Sequence, residues 1–348
     1  MKKFNNLLAA IILFIGITST VDAQSKLTNP QSSQKAWAGQ EIGVTVMKVV
    51  YHSPLVKGRE IWGILIPYGE VWRAGANENT IVYFSTDVKI GGKDLKAGKY
   101  GLHMIPEKEM WTVIFSKDVS SWGSYHYNKS EDALRVEAKP STCSMQEWMS
   151  FSFENNTANS SDLVMRWEKL QVTVKIEVDL KETVLASMKS ELRGLPGFTW
   201  EGPYEAAQFC LNQEMNYEEA MVWIDGSIAR QENFDNLRVK AGLLEKMGKK
   251  TEADVITKKS MKIANENQLN AYGYQLMNQG DLDGAVAIFK TNVERHPNSW
   301  NVYDSLAEAM EKNKNKKEAI KNYNKALTLA PDGQIDRLTS TIKRLESN

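Results

Sequence analysis

Residues 56–80 carry the side chains of this sequence that are best equipped to bind a ligand. The segment reads VKGREIWGILIPYGEVWRAGANENT and has little helical or strand periodicity, which is typical of a functional loop. Arg59 and Arg73 each have a planar guanidinium that suits a carboxylate, sulfate or phosphate. Asn77 can donate and accept hydrogen bonds, and Glu78 can act as a base or a ligand. These residues predict a site for a small polar ligand.

The same residues also allow a purely structural interpretation. Arg73 can pair with Glu78 or Glu70 and lock the turn, because buried charges need partners and a polar loop must satisfy its own backbone. In that case no charge would remain for a ligand. Both interpretations stay open at the level of the sequence.

A second group of candidate ligand-binding residues lies near the middle of the chain. His103 falls on a predicted strand, and Trp122, Tyr125 and His126 belong to an aromatic loop that could stack a sugar ring or a peptide side chain. If His103, His126 and Glu78 met, they would form a metal site of two histidines and one carboxylate. No close ligand spacing such as HxH supports that site. We therefore predict no metal and no other cofactor.

An enzyme is the alternative function. The sequence has no GxSxG nucleophile motif and no convincing nucleotide-binding glycine loop. Glu78 could nevertheless act with Asp87, Glu70 or Asp132, since paired carboxylates are the usual equipment for glycoside cleavage. The alternative prediction is a hydrolase or metal-dependent enzyme with its site around Glu78.

Short segments of period-two alternation dominate the part of the chain before residue 180. Examples are Ile42 to Val46, Ile81 to Tyr83, Val113 to Phe115 and Phe151 to Phe153. Gly91-Gly92 predicts a tight hairpin turn, because glycine adopts positive φ at little cost. We count about nine or ten strands without helical crossovers, which predicts an antiparallel β-sandwich or jelly roll. A further hairpin is predicted over Leu163 to Val178.

Helical spacing replaces the alternation after residue 180. Val184, Leu185, Met188 and Leu192 predict a helix in a linker over residues 181–202. Beyond it, four alanines recur at intervals of 33, 32 and 34 residues: Ala220, Ala253, Ala285 and Ala319. The pattern Gly280-x4-Ala285-x3-Phe289-x7-Pro297 returns from Lys314 to Pro331, which predicts stacked helical hairpins.

This pattern resembles the tetratricopeptide repeat family over residues 203–335. The last two units match it clearly, whereas Lys314 and Glu214 or Met215 stand where glycine is usual. In that family the concave face of the stacked helices binds extended peptides or partner proteins. The resemblance implies a protein or peptide partner for this part of the chain, with residues 336–348 as its C-terminal helix end. The alternative is that these units only cap the β domain or form a homodimer contact.

The start of the chain resembles a secretory signal peptide. Lys2 and Lys3 precede an apolar stretch, and Val21-Asp22-Ala23 fits a cleavage site before Gln24. The protein is therefore predicted to be periplasmic or secreted, with no membrane span after cleavage of residues 1–23.

Charge and cysteine content exclude some classes of function. The chain has 43 lysines and arginines and 43 aspartates and glutamates, so no nucleic-acid partner is predicted. The two cysteines, Cys143 and Cys210, lie in different predicted domains and do not favour a structural disulfide. Cys210 falls in a helical pattern where a buried, unreactive thiol is expected.

The order of motifs in residues 28–180 resembles one uncharacterised family of secreted bacterial proteins. The motifs are VKGR, PYGEVWRAGANE, FSTDVKIGG, KAGKYGLHMIP, WTVIFSK and WGSYHYNKSEDALR. The family is the domain-of-unknown-function family twenty-nine eleven. The resemblance supplies a domain, predicted here over residues 24–180, but no activity.

Overall fold

The computed structural model describes residues 29–347. The chain forms two compact units, one ending at Val178 and the other beginning at Asp179. The predicted signal peptide, residues 1–23, lies outside the described residues. Within residues 29–347, no helix is both long enough and apolar enough to cross a membrane.

Two antiparallel sheets make up the first unit, which we call the β unit. Its strands are β1 (Gln34–Ile42), β2 (Thr45–Ser53), β3 (Thr80–Phe84), β4 (Val88–Ile90), β5 (Lys93–Leu95), β6 (Gly98–Ile105), β7 (Trp111–Ser116), β8 (Asp132–Ala138), β9 (Ser141–Glu154) and β10 (Ser160–Glu177). One sheet has the order β1-β2-β3-β6-β7-β8 and the other β5-β4-β10-β9. Neighbouring strands run antiparallel throughout, which confirms the predicted antiparallel β fold.

Alternating side chains of the two sheets form one apolar core. In β2, Met47, Val49 and Tyr51 are buried, whereas the intervening Lys48 is exposed. This is the pattern that a strand shows when one face is covered. Tyr51 packs edge-on against Phe151 of β9 with ring centroids 5.0 Å apart, and this contact joins the two sheets.

Two tight turns show where the predictions from apolar alternation and glycine content are right and where they are wrong. The hairpin at Gly91-Gly92 is confirmed, since β4 pairs with β5 and the two glycines have φ values of 56° and 78°. The interpretation of Ile42 to Val46 as one strand is wrong. β1 ends at Ile42 and β2 begins at Thr45, with Gly43 at φ 58° between them. A glycine at positive φ makes a two-residue hairpin turn inexpensive there.

The hairpin predicted over Leu163 to Val178 is also wrong. This segment belongs to β10, one strand of 18 residues that pairs with β9. The pairing register shifts on both sides of Glu168, which has φ 57°. The alternating buried positions change there from odd numbers (Leu163, Met165, Trp167) to even numbers (Val172, Val174, Ile176), although Val164 is buried as well. An irregularity of the β-bulge type changes which face a residue occupies without ending the strand, so it imitates the phase change of a hairpin.

Residues 54–79 connect β2 to β3 without regular structure. Leu55 bridges to Trp148 of β9, in one sheet, and Trp72 exchanges two backbone hydrogen bonds of 2.8 Å with Met104 of β6, in the other. Near its end, Glu78 bridges to Trp122. The connection is therefore fixed to both sheets, as expected for a segment that folds over the end of a sandwich.

The second unit, which we call the helical unit, is a series of helical hairpins. Its helices are α1 (Leu180–Glu191), α2 (Glu201–Gln213), α3 (Tyr217–Arg230), α4 (Phe234–Lys246), α5 (Lys250–Ile263), α6 (Glu266–Asn278), α7 (Leu282–Arg295), α8 (Trp300–Lys312), α9 (Lys316–Leu329) and α10 (Asp332–Ser347). The four repeated alanines are fully buried in α3, α5, α7 and α9. Helices α2 to α9 form four such hairpins, which confirms the predicted helical array.

Each hairpin turns through a residue in the left-handed region. Glu214, Gly248, Gly280 and Lys314 have φ values of 56°, 77°, 86° and 60°. The structure thus places Glu214, rather than Met215, at the position where the family uses glycine. A side chain at such a position is strained, because its Cβ approaches the backbone.

Small residues let the two helices of a hairpin approach each other. A Cβ added at Gly273 of α6 would lie 2.5 Å from the ring of Phe289 in α7, so only glycine leaves room for that ring. Leu185 of α1 and Cys210 of α2 are buried in one core that α1, α2, α3 and α4 form together, and Cys210 is a free thiol. Burial raises the pKa of this thiol, which fits the expected unreactive role.

Candidate functional site

The turn from Trp72 to Thr80 is held rigidly by its own side chains. The Trp72 indole donates to the Gly75 carbonyl at 3.0 Å, and the Thr80 hydroxyl donates to the Ala74 carbonyl at 2.9 Å. A Cβ at Gly75 would lie 2.7 Å from Thr80 Oγ1 and 3.2 Å from the His52 carbonyl oxygen. Only glycine fits this close approach, so the backbone that carries Arg73 is fixed.

Arg59 and Arg73, the two predicted anion-binding residues, line one cavity. The cavity has a volume of about 390 Å³, and we call it the arginine cavity. Its lining combines cations, hydroxyl groups and apolar side chains, and it includes Lys57, Arg59, Arg73, Ser32, Ser33, Leu65, Ile66, Trp72 and Trp167. No carboxylate is among the lining residues. The charged side chains of the lining are therefore all cationic, while the Glu147 carboxylate, outside the lining, accepts from the Lys57 backbone amide at 2.9 Å.

The other two arginines of the β unit, within its described residues, have carboxylate partners. Arg135 contacts Asp132, and Arg166 donates to Glu154 with an Nη2 to Oε2 distance of 2.8 Å. The Arg166 guanidinium lowers the pKa of Glu154 to about 2. Arg59 instead donates to two backbone carbonyls, Val56 at 3.0 Å and Leu55. Arg59 and its neighbour Arg73 thus differ from the structural arginines of the same unit.

The predicted pairing of Arg73 with Glu78 or Glu70 is wrong. The guanidinium carbon of Arg73 lies 5.7 Å from the centre of the Trp122 ring, a cation-π distance. Its Nε is buried without a hydrogen-bond partner in the described residues. Burial lowers the pKa of Arg73. Trp122 is itself stacked on Tyr125 with ring centroids 6.0 Å apart, and both rings are exposed.

Glu78 lies beside His52, at a second cavity. This cavity of about 240 Å³ is also lined by Lys35, Ser120 and Ser121, and we call it the histidine cavity. His52 Nδ1 is 3.2 Å from Glu78 Oε2, which is within ion-pair range, but the angles are not those of a hydrogen bond. Burial lowers the pKa of His52, although the Glu78 carboxylate opposes the shift. A neutral imidazole near neutral pH follows.

Asn77 has a structural contact. Its side-chain amide donates to Gln31 Oε1 at 3.0 Å, and its own φ is 56°. The backbone carbonyl of Asn77 accepts from the amide of Gly123 at 3.3 Å. Asn77 therefore ties the turn to residues 31 and 123, close to the aromatic loop.

His103 is buried, whereas His126 is exposed. The Nδ1 of His103 is 3.2 Å from the Ser124 hydroxyl, and its ring lies 5.3 Å from that of Tyr127. Burial lowers the pKa of His103 against the opposing charges of Asp132 and Asp118. Within residues 29–347, no group of three histidine, cysteine or acidic side chains is placed to hold a metal ion. The structure therefore does not join His103, His126 and Glu78.

Two of the proposed carboxylate partners of Glu78 have structural contacts. Asp87 accepts from the Ala97 amide at 2.8 Å and from the Lys96 ammonium at 2.7 Å. Asp132 accepts from the Tyr127 hydroxyl at 2.7 Å and from Arg135. These contacts hold the end of the β4–β5 hairpin and the start of β8.

A groove crosses three helices of the helical unit. It has a volume of about 210 Å³ and is lined from α2, α4 and α6, the first helices of successive hairpins. We call it the helical groove; its lining is aromatic, amide and charged, and it consists of Tyr204, Gln208, Phe234, Asp235, Arg238, Gln268, Ala271, Tyr272 and Gln275. The Arg238 guanidinium carbon lies 4.2 Å from the centre of the Tyr272 ring.

The β unit matches a known family. Residues 33–176 fit the sequence model of the family described as Protein of unknown function (DUF2911). They form a DUF2911 domain. This confirms the resemblance seen in the order of motifs, and no curated protein matches the chain.

Solved structures similar to the helical region are tetratricopeptide proteins and MamA. YrrB, described as a TPR protein with an unusual peptide-binding site, is 21% identical over 46% of this chain and 84% of YrrB, with a TM-score of 0.29. MamA is 14% identical over 43% of this chain and 88% of MamA, with a TM-score of 0.30. The C-terminal part of a TPR repeat-containing protein from Cytophaga hutchinsonii is 15% identical over 43% of this chain and 58% of that structure, with a TM-score of 0.30.

Sequence reasoning missed two components of the DUF2911 domain. His52 is the penultimate residue of strand β2, close to the irregular connection, and this position near a strand end was the available signal in the sequence. Trp167 lies about 95 residues after Trp72 along the chain, yet the two indoles are stacked 5.9 Å apart. The pairing of β10 in the second sheet brings them together, and no local spacing indicates it.

Proposed function

We propose that this protein is exported and that its helical unit binds an extended segment of a partner protein. The observation that carries the proposal is the helical groove, because equivalent helices of three consecutive hairpins supply its lining. Stacked helical repeats form extended concave surfaces of this kind. A partner segment that lies across α2, α4 and α6 would contact each hairpin in turn.

The chemistry of the groove suits a peptide backbone. The amides of Gln208 and Gln275 can both donate and accept hydrogen bonds, as an extended peptide requires. The rings of Tyr204, Phe234 and Tyr272 offer apolar contact for the side chains of the peptide. Asp235 and Arg238 bring one charge of each sign, so the groove favours a segment of mixed charge.

Site-specific photo-crosslinking in cells tests the proposal. A photoreactive residue at Ala271, inside the helical groove, should capture a defined segment of a partner protein. The same residue at Val222, which is 69% exposed on α3 and outside the groove, is the matched control. Equal capture at both positions would contradict binding in the groove.

A synthetic peptide of the captured segment then measures the contribution of the amides. The double variant Gln208→Ala/Gln275→Ala should weaken binding by roughly tenfold, since each hydrogen bond contributes about 0.5–1.5 kcal/mol. Gln279→Ala, on an exposed residue at the end of α6, should leave the affinity unchanged. An unchanged affinity in the double variant would count against the proposed contacts.

Export has a separate test. The basic start, the apolar stretch and the cleavage site before Gln24 support a signal peptide. Protein recovered from the periplasm or the medium should begin at Gln24 by N-terminal sequencing. Recovery of the intact N-terminus from the cytoplasm would refute export.

A second candidate function is acid–base chemistry at the histidine cavity. The observation in its favour is the contact of His52 with Glu78 beside Ser120 and Ser121. A neutral imidazole can accept a proton, and an adjacent carboxylate stabilises the charge that forms. The test is hydrolysis of a panel of glycosides and esters. Activity that is lost in His52→Gln and kept in His126→Gln would support an enzyme, whereas equal activity of both variants would exclude His52 and Glu78 as its acid–base pair.

A further inference from the structure

We infer that the arginine cavity of the β unit is a binding site for a small organic carboxylate that carries an apolar or aromatic group. The cavity joins two guanidinium groups to an apolar wall of Leu65 and Ile66, backed by the buried Trp72 and Trp167. This arrangement is separate from the helical groove and does not depend on the partner-binding proposal.

The first argument is the unbalanced charge of the cavity. Lys57, Arg59 and Arg73 line it, and none of its lining residues is acidic. In contrast, Arg135 and Arg166 of the same unit are neutralised by Asp132 and Glu154. A group of cations without a carboxylate partner gains most from an anion that arrives from outside.

The second argument is the state of Arg73. This side chain is partly buried, its Nε is buried without a hydrogen-bond partner, and burial lowers its pKa. The Trp122 ring shields one face of the guanidinium but accepts no conventional hydrogen bond from Nε. The terminal nitrogens Nη1 and Nη2 are not among the buried, unpartnered atoms, so they are the groups of Arg73 that can donate to a carboxylate in the cavity.

The third argument is that the site is preorganised. Two backbone carbonyls, those of Leu55 and Val56, hold the Arg59 guanidinium in place. The close approach of Gly75 to Thr80 and His52 fixes the turn that carries Arg73. A ligand would therefore meet groups that are already ordered, which limits the entropy lost on binding.

The fourth argument defines the apolar part of the ligand. Trp72 and Trp167 are stacked 5.9 Å apart with an angle of 21° between their planes, and both line the cavity with Leu65 and Ile66. A volume of about 390 Å³ lies at the small end of the range for small-molecule sites. These walls favour a compact group over a bare inorganic ion.

The binding experiment uses the purified full chain and isothermal titration. The probes are phenylacetate, the neutral phenylacetamide, and inorganic phosphate, at matched ionic strength. Phenylacetate should bind at least about tenfold more tightly than phenylacetamide and than phosphate. If phenylacetate does not bind, or if the neutral amide binds equally well, the inference is wrong.

Variants of the cavity give the second measurement. Arg73→Gln should weaken phenylacetate binding by at least about tenfold, because it removes a charge-assisted pair. Arg59→Gln, on an exposed side chain, should weaken it in the same direction. The control is Lys139→Gln, an exposed cation outside the cavity, which should bind as the original chain does. Equal affinity in all three variants would overturn the assignment.

A free acid and the C-terminus of a chain present the same carboxylate. Two short peptides that end in phenylalanine, one with a free C-terminus and one amidated, distinguish these sources. Tighter binding of the free-acid peptide than of phenylacetate would identify a chain end as the ligand. Binding of phenylacetate alone would identify a small free acid.

Discussion

The helical groove and the arginine cavity are built in opposite ways. The groove takes its lining from equivalent helices of successive hairpins, so its positions follow the repeat of the sequence. The cavity takes its lining from residues 32–33, from the connection after β2, and from Trp167 on β10. The comparison teaches that the surface residues of a repeated hairpin recur at the repeat length and can be located in the sequence. The cavity of a sandwich is instead formed by strand pairing and long connections, which the local sequence does not indicate.

The substitution with the largest expected effect tests how much the stability of the β unit depends on Trp167, which lines the arginine cavity. Trp167→Ala should lower the free energy of unfolding by about 3–5 kcal/mol, because it removes a fully buried indole and leaves a void. Denaturant unfolding followed by circular dichroism measures the loss. Trp37→Ala, at a site that is 69% exposed, is the control and should change stability by less than about 0.5 kcal/mol. Equal losses would show that Trp167 is not part of the stabilising core.

The substitution with the next largest expected effect, Gly75→Ala, tests whether close packing fixes the turn that carries Arg73. Gly75→Ala should cost about 1–3 kcal/mol, because the new Cβ would lie 2.7 Å from Thr80 Oγ1. Gly39→Ala provides the control, since its Cβ would meet only an ordinary contact at 3.4 Å. The denaturation midpoint of the Gly39 variant should stay the same or rise. If Gly75→Ala is tolerated equally well, the turn is not fixed by this close approach.

The third prediction is that the buried His103 makes the β unit less stable in acid. Burial lowers the folded-state pKa of His103, so between that lowered pKa and the ordinary value of 6.5 the unfolded chain binds a proton that the folded chain does not. Stability should therefore fall as pH drops through about 6.5, by at most about 1.4 kcal/mol per pH unit for this group.

Two variants distinguish the contribution of His103 to the pH dependence from that of the other titratable groups. His103→Gln should give a flatter dependence of unfolding free energy on pH than the original chain. His126→Gln, at an exposed position, should follow the original profile. Parallel profiles for all three proteins would show that His103 titrates alike in the folded and unfolded states.

The smallest effect tests the equivalence of the helical hairpins. Gly280 and Lys314 occupy equivalent turns with φ values of 86° and 60°. Gly280→Ala should therefore cost about 1 kcal/mol, whereas Lys314→Gly should raise stability by about 0.5–1 kcal/mol. Thermal unfolding checks both signs. A loss of stability in Lys314→Gly would mean that the two turns are not equivalent.

Local patterns predicted most of the fold but failed where one pattern has two structural meanings. The alternation predicted the antiparallel sheets, and the alanine spacing predicted the helical hairpins. The phase change around Glu168 suits a hairpin and a bulge equally, and only the pairing of β10 with β9 distinguishes them. The candidate site shows the same limit. Arg59 and Arg73 were predicted together, but the contact of Glu78 with His52 was not.

The sequence by itself determined the alternation, the glycine turns, the repeat length and the residues equipped to bind an anion. These properties depend on neighbours within a few residues, where backbone sterics and periodicity act directly. Only the tertiary structure decided which charges are neutralised. It gives Arg135 and Arg166 carboxylates, gives Arg73 the Trp122 ring, and places Trp167 beside Trp72. The contacts of Arg73 with Trp122 and of Trp72 with Trp167 join segments far apart in the chain, so local spacing does not indicate them.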